Sequence, residues 1–177
     1  MKTSTPDQPD WRARLRDPDA FDDLLARERI GRIATLNARG PHLTPIGYLW
    51  DGSSAWIASQ TQTQRFVDLQ RDPRVALLVE PAGASAFEGY VEIIGTAEVV
   101  GAIPCLGDDP ATADVETLWE QSMGFDLRLV HDGLHAWVRI DPVRVIQVRS
   151  VIANHDDEAY RIEAERAMAE RETTAGD

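Results

Sequence analysis

Between Ser59 and Val75 the chain reads SQTQTQRFVDLQRDPRV. Hydroxyl and amide side chains alternate from Ser59 to Gln64, a lone cation follows at Arg65, and an amphipathic turn begins there. That combination suits an anion. A guanidinium grips two oxygens of a phosphate at once, and the unpaired N–H groups of a helix start add a favourable dipole. Thr63 is placed to cap the helix and to offer its hydroxyl to the same anion. The competing reading of Arg65 is an ordinary first-turn arginine, paired with Asp68 or Asp72.

A second feature is Thr44-Pro45 in the middle of a strand pattern. Proline there removes a ladder donor, which suits an edge or bulge opening onto a ligand groove. Other chemistry-bearing residues read as ordinary ones. His131 and His135 have the i, i+4 spacing of helical metal ligands, but Asp132-Gly133 between them makes the segment a turn. Cys105 lies in a Gly/Pro loop without a cationic neighbour and reads as a free thiol. The acidic groups Asp108-Asp109 and Asp156-Asp157-Glu158 read as solvated surface charge. Trp56 and Trp137 sit in apolar strands and are expected in the core, whereas Trp50, next to the Asp51-Gly52 turn, is expected partly exposed.

The elements that position these residues follow from periodicity and punctuation. Asp17-Pro18 offers an N-cap and a first-turn proline for a helix through Phe21, Leu24 and Leu25. RIATLN (Arg32–Asn37), HLTPIGYLW (His42–Trp50) and SAWIAS (Ser54–Ser59) read as three strands of an antiparallel meander, joined by tight turns. A helix follows Arg65 and ends at Asp72-Pro73. VALLVE (Val75–Glu80) is apolar throughout and is expected to be buried on both faces. YVEIIGTAEVV (Tyr90–Val100) alternates, with Gly95 marking a bulge or a barrel corner. ADVETLWEQSMG reads as a helix, and LHAWVRI and VRVIQV as a last strand pair broken by Asp141-Pro142.

The expected whole is mainly β, a six- to seven-stranded antiparallel barrel with helical caps. Residues 1–18 read as a polar leader, 19–150 as the barrel domain, and 151–177 as a charged helix and tail. Tyr160, Ala164, Ala167 and Met168 form a thin stripe on that helix, suited to a surface arm or to a partner subunit.

Composition excludes several classes of function. A formal net charge of -12 argues against nucleic acid, whose binding needs a basic face. No apolar run approaches the roughly 18 residues of a membrane span, and the N-terminus lacks a signal-peptide core. The single cysteine cannot form an internal disulfide, and a cytoplasmic setting is expected. Bulk negative charge does not forbid an anionic ligand, because it is screened beyond about 8 Å at physiological salt.

Taken in order, RIATLNARGPHLTPIGYLW, AWIAS, TQRFVDLQRDPRVALLVE, VEIIGTAEVV and WVRIDPVRVIQV resemble the split-barrel flavin-binding oxidoreductases. These are the pyridoxamine 5'-phosphate oxidase-like proteins, and the likeness is greatest to their branch that uses the deazaflavin coenzyme F-420. The resemblance covers roughly residues 21–148. It implies a homodimer with a cofactor in each of two grooves at the subunit interface. It also implies hydride transfer to a planar, conjugated small molecule. It lays the cofactor ring against Thr44, Pro45, Ile46 and Gly47, and the phosphate end against Ala58, Ser59, Thr63, Gln64 and Arg65. No residue is assigned as a general base. Gln60, Gln62 and Gln64 stand where relatives place further cations, and an amide gives a weaker bond to phosphate than a cation does. The choice between the deazaflavin coenzyme and FMN is near even. A non-catalytic haem- or flavin-binding protein on the same fold is the alternative, with His131 or His155 as an axial haem ligand.

Overall fold

The computed structural model describes residues 11–82, 89–102, 112–124 and 134–148. The readings of Cys105, His131, His155, both acidic groups and the C-terminal helix fall outside them.

The chain opens with a 3-10 turn at Arg12–Arg14 and then α1 (Pro18–Arg27), whose cap Asp17 accepts a hydrogen bond from the Ala20 amide at 3.1 Å. Strand β1 (Ile30–Asn37) turns at Ala38-Arg39 into β2 (Gly40–Gly47). Next come the two-residue β3 (Leu49–Trp50), β4 (Ala55–Gln60), α2 (Gln64–Arg71) and β5 (Arg74–Val79). The long β6 (Tyr90–Ala102), α3 (Ala113–Met123) and β7 (His135–Val148) complete the described elements.

All seven strands join one antiparallel sheet in the order β2-β1-β5-β6-β7-β4-β3. One consequence of that order shapes the molecule. Strands β2 and β3 lie at opposite edges, yet only Tyr48 separates them in the chain. The sheet must therefore curl until its edges nearly meet, as a barrel left open at one seam. The expected continuous meander is corrected: β1–β2 and β3–β4 are hairpins, but the chain steps across the seam between them. Tyr48 anchors the step, buried, with its hydroxyl donating to the Leu25 carbonyl at 2.9 Å and its amide to the Arg29 carbonyl at 3.1 Å. Burial and the nearby Glu28 charge push its phenol well above the usual range, so it stays neutral.

The core fills the inside of the curl. Ile33, Ile57, Leu77, Val79, Ile93, Val138 and Ile140 meet Phe21 and Leu25 from α1 and Phe66 and Leu69 from α2. A second cluster lies on the other face of β4 and β7, where α3 packs Val115 and Trp119 over Trp56 and Trp137. The Trp119 and Trp137 rings meet edge to face at 5.2 Å.

Three further expectations change. Strand β5 buries Val75, Leu77 and Val79, but Ala76 and Leu78 face a half-open outer surface, so it is not buried on both faces. Strand β7 runs unbroken through Asp141-Pro142, because Pro142 sits opposite Gly95 at a register shift, where the ladder is already interrupted. Gly95 is required there: a Cβ would lie 2.5 Å from the Asp141 carbonyl oxygen. Trp50 is buried rather than partly exposed, with its indole donating to Asp22 at 3.0 Å and its ring 5.6 Å from Phe21.

Candidate functional site

The seam is where backbone is left open. Strand β4 pairs with β7 along its whole length but with β3 only at Ala55 and Trp56. From Ile57 to Gln60 its other edge has no strand partner among the described residues. Among the described residues strand β2 pairs only with β1, and β2 and β4 come within 8 Å of each other. Helix α2 begins four residues beyond the end of β4, at this split, and delivers Arg65 to it.

Arg65 pairs with neither Asp68 nor Asp72. Its Nη1 donates to Thr44 Oγ1 on β2 at 3.0 Å, while its Nε is buried without a hydrogen-bond partner. Partial burial lowers the guanidinium pKa from its ordinary value. Ser59 Oγ, fully buried on the inward face of β4, is a second polar atom without a partner. Buried polar atoms are seldom left so.

Thr63 caps α2, accepting from the Phe66 amide at 3.4 Å. Its own proton goes to the Gln60 carbonyl at 2.8 Å, so the hydroxyl is already committed within the loop. What the cap leaves open are the amides of Gln64 and Arg65, the first two of the helix, which have no intrahelical acceptor. The Gln64 side chain is committed too, donating to Asp68 Oδ1 at 2.7 Å.

The strand residues divide by face. Thr44 and Ile46 point inward, Ile46 against the core, while Pro45 is exposed on the opposite face. Gly47 lies under α3, where a Cβ would meet the Met123 methyl at 2.9 Å. On β4, Ser59 points into the barrel and Ala58 away from it, towards the tryptophan cluster. The structure thus brings Thr44, Thr63, Gln64 and Arg65 together at the start of α2. Pro45 and Ala58 lie on other faces.

Sequence reasoning missed the centre of this region. Asp68, on the same face of α2 as Gln64 and Arg65, is fully buried. Its Oδ2 accepts from Thr35 Oγ1 at 3.0 Å and from Asn37 Nδ2 at 3.4 Å, and lies 3.2 Å from His42 Nδ1. Burial pushes the carboxyl pKa up, but the hydrogen bonds from Gln64, Thr35, Asn37 and His42 outweigh it and hold the group below the usual carboxylate range. Because the carboxylate only accepts, His42 presents Nδ1–H to it when neutral, leaving Nε2 as an acceptor. The available signal was polar residues at inward strand positions: Thr35 and Asn37 share the face of Ile33 on β1, as His42 and Thr44 share that of Ile46 on β2.

Residues 17–149 match the family model of pyridoxamine 5'-phosphate oxidase. The chain belongs to that family. The pyridoxamine 5'-phosphate oxidase fold recurs among solved structures. A conserved hypothetical protein, Rv2991 from Mycobacterium tuberculosis, is 27% identical with a TM-score of 0.57, over 73% of this chain and 82% of that one. A protein described as an F420 reductase is 22% identical with a TM-score of 0.55, over 71% and 94%. The haem storage protein HutZ from Vibrio cholerae is 14% identical with a TM-score of 0.59, over 76% and 96%. No curated protein sequence matches the chain. Among the described residues, no helix is long and apolar enough to cross a membrane.

Proposed function

We propose that this member of the pyridoxamine 5'-phosphate oxidase family binds a flavin-type cofactor, FMN or the deazaflavin coenzyme F-420, and transfers hydride between it and a planar, conjugated small molecule. The observation that carries the reading is Arg65: a half-buried guanidinium, tied to Thr44 through one nitrogen, with a buried Nε unpartnered. A phosphate at the start of α2 supplies what that group lacks. Arg65 Nε and the Gln64 and Arg65 amides would hold the phosphate. Ser59 would donate its hydroxyl from β4, and Thr44 would keep the guanidinium aimed. Thr63 acts through the backbone by fixing the helix start. When bound, the cofactor supplies hydride transfer at its ring, and the chain supplies orientation and a dry seam. Ile46 and Thr44 are the strand side chains turned towards that seam.

A second copy of the chain would pack on the face of the sheet that backs the site. The outer face of β2, β1, β5 and β6 carries a groove of about 420 Å³ lined by Ala34, Leu43, Ala76, Leu78 and Tyr90 beside the charged Arg32, Glu80 and Glu92, and Leu43 is 62% exposed. Outward apolar residues on four adjacent strands suit an isologous dimer contact.

A second reading, non-catalytic binding of haem or flavin, is favoured by His42, whose Asp68-bound Nδ1 leaves Nε2 free to ligate a metal. Reconstitution separates the two. The purified protein is mixed with FMN, deazaflavin coenzyme and haem in turn, and reduced cofactor is then offered to a panel of conjugated acceptors. Saturable binding of FMN or deazaflavin with acceptor-dependent reoxidation supports the oxidoreductase. Haem binding alone, with a Soret shift lost in His42→Ala, supports the alternative.

A further inference from the structure

The anion-binding start of α2 is held in place by a buried carboxylate three residues into the helix beyond Arg65. Asp68 has no exposed surface, and four donors converge on it. Thr35 and Asn37 come from β1, His42 from β2, and Gln64 from the helix itself at i, i-4. Apart from the Arg65–Thr44 bond at its first turn, the other packing of α2 on the barrel is apolar, through Phe66 and Leu69, and non-directional. Such contacts set how deep the helix lies but not how it is rotated or where it sits along its axis. The Asp68 bonds fix both, because they are directional and come from two strands at once. On β2 the donor His42 is two residues from Thr44 on the same face, so one strand carries both the anchor of Asp68 and the acceptor of Arg65.

From this we infer that Asp68 is the positioning residue of the anion clamp: it sets the rotation of α2 that points the Arg65 guanidinium and the first helix amides at one place. The inference rests on the reading of Arg65 as the phosphate anchor. It assigns Asp68 no contact with the ligand. An unpaired carboxylate so close to an anion site would be unfavourable, and its four donors, three of them neutral amides or hydroxyls, disperse that charge.

Asparagine at the same position tests the geometry. Its carbonyl oxygen can take over the role of Oδ2, accepting from Thr35, Asn37 and His42. Its NH2 replaces Oδ1, and Gln64 meets it by turning its amide to accept instead. Alanine removes every bond.

The experiment compares phosphate-bearing ligands with their phosphate-free counterparts on the full chain: FMN against riboflavin, and deazaflavin coenzyme against its phosphate-free chromophore. Asp68→Ala is expected to lower the affinity ratio at least tenfold, leaving the phosphate-free ligand within about twofold of wild type. Asp68→Asn is expected to keep the ratio within about threefold, and His42→Ala to lower it about threefold. A ratio unchanged in Asp68→Ala, including equal weakening of both ligands, overturns the inference. If Asp68→Ala does not fold, an unchanged ratio in His42→Ala overturns it instead. An Asp68→Asn variant that falls as far as the alanine variant also overturns it. Loss of the ratio in Arg65→Ala but in none of the Asp68 and His42 variants removes this inference alone. A wild-type protein that does not distinguish phosphate-bearing from phosphate-free ligands removes it together with the phosphate reading of Arg65.

Discussion

Arg65 and Thr44, 21 residues apart in the chain, meet across the seam of the barrel through an N–H···O bond of 3.0 Å. The bond ties the first turn of α2 to an edge strand, and it leaves the guanidinium with a buried nitrogen still to satisfy. Replacing Thr44 by Val removes the acceptor with little change of shape. Arg65 then loses its tether, and the affinity for a phosphate-bearing flavin is expected to fall about fivefold, or about 1 kcal/mol. Isothermal calorimetry of Thr44→Val beside wild type measures it. An unchanged affinity would show that the tether does not matter.

Acid stability is predicted from Asp68. Its carboxyl sits below the usual value in the folded chain, so the unfolded chain takes up the proton more readily. The group therefore contributes stability that is full above its unfolded value, about pH 4, and is lost as the pH falls through the lower folded value. Urea midpoints at pH 7 and pH 3 are expected to drop further apart in wild type than in Asp68→Asn, which has no such proton to bind. Equal drops would contradict the assignment.

The outer face predicts an oligomer. Leu43 stands among Ala34, Ala76 and Leu78 on an open apolar surface crossed by the Arg32–Glu80 ion pair. Fully burying one leucine is worth about 1.5–3 kcal/mol, counted once in each subunit. Wild type is expected to sediment as a dimer and Leu43→Arg as a monomer. A wild-type monomer at micromolar concentration would contradict the dimer contact.

Gly95 predicts a strong local effect. Alanine would press its methyl against the backbone carbonyl of Asp141, and β6 would have to part from β7. A destabilisation of about 2–3 kcal/mol is expected, checked by thermal unfolding. Ala at Gly101, where nothing lies within 4 Å of the added Cβ, serves as the matched control.

Much of this was legible in the sequence. Asp17-Pro18 announced α1, the bulge at Gly95 was marked by its glycine, and Thr63 capped α2 as its chemistry suggests. Topology was less so. Nothing local in GYLW says that the chain crosses from one sheet edge to the other at Tyr48. That step depends on β6 and β7 pairing between β5 and β4, contacts far apart in sequence. The alternating burial of β5 was hidden because its outward residues, Ala76 and Leu78, are as apolar as its inward ones. At the candidate site, Arg65 stood out as the one cation in a polar loop, but Asp68 did not. Its significance lies in four donors, three of them reached only after β1 and β2 fold against α2. Pro142 looked like a strand break because the sequence does not show that Gly95 lies opposite it.

That Arg65 holds a phosphate is open to test by one titration. Purified wild-type protein and Arg65→Ala are titrated with FMN and, separately, with the deazaflavin coenzyme, following quenching of the intrinsic tryptophan fluorescence. Micromolar binding of one cofactor by wild type is expected, weakened at least tenfold in Arg65→Ala, about 1.4 kcal/mol. Binding of neither cofactor, or an Arg65→Ala variant that binds as tightly as wild type, would contradict it.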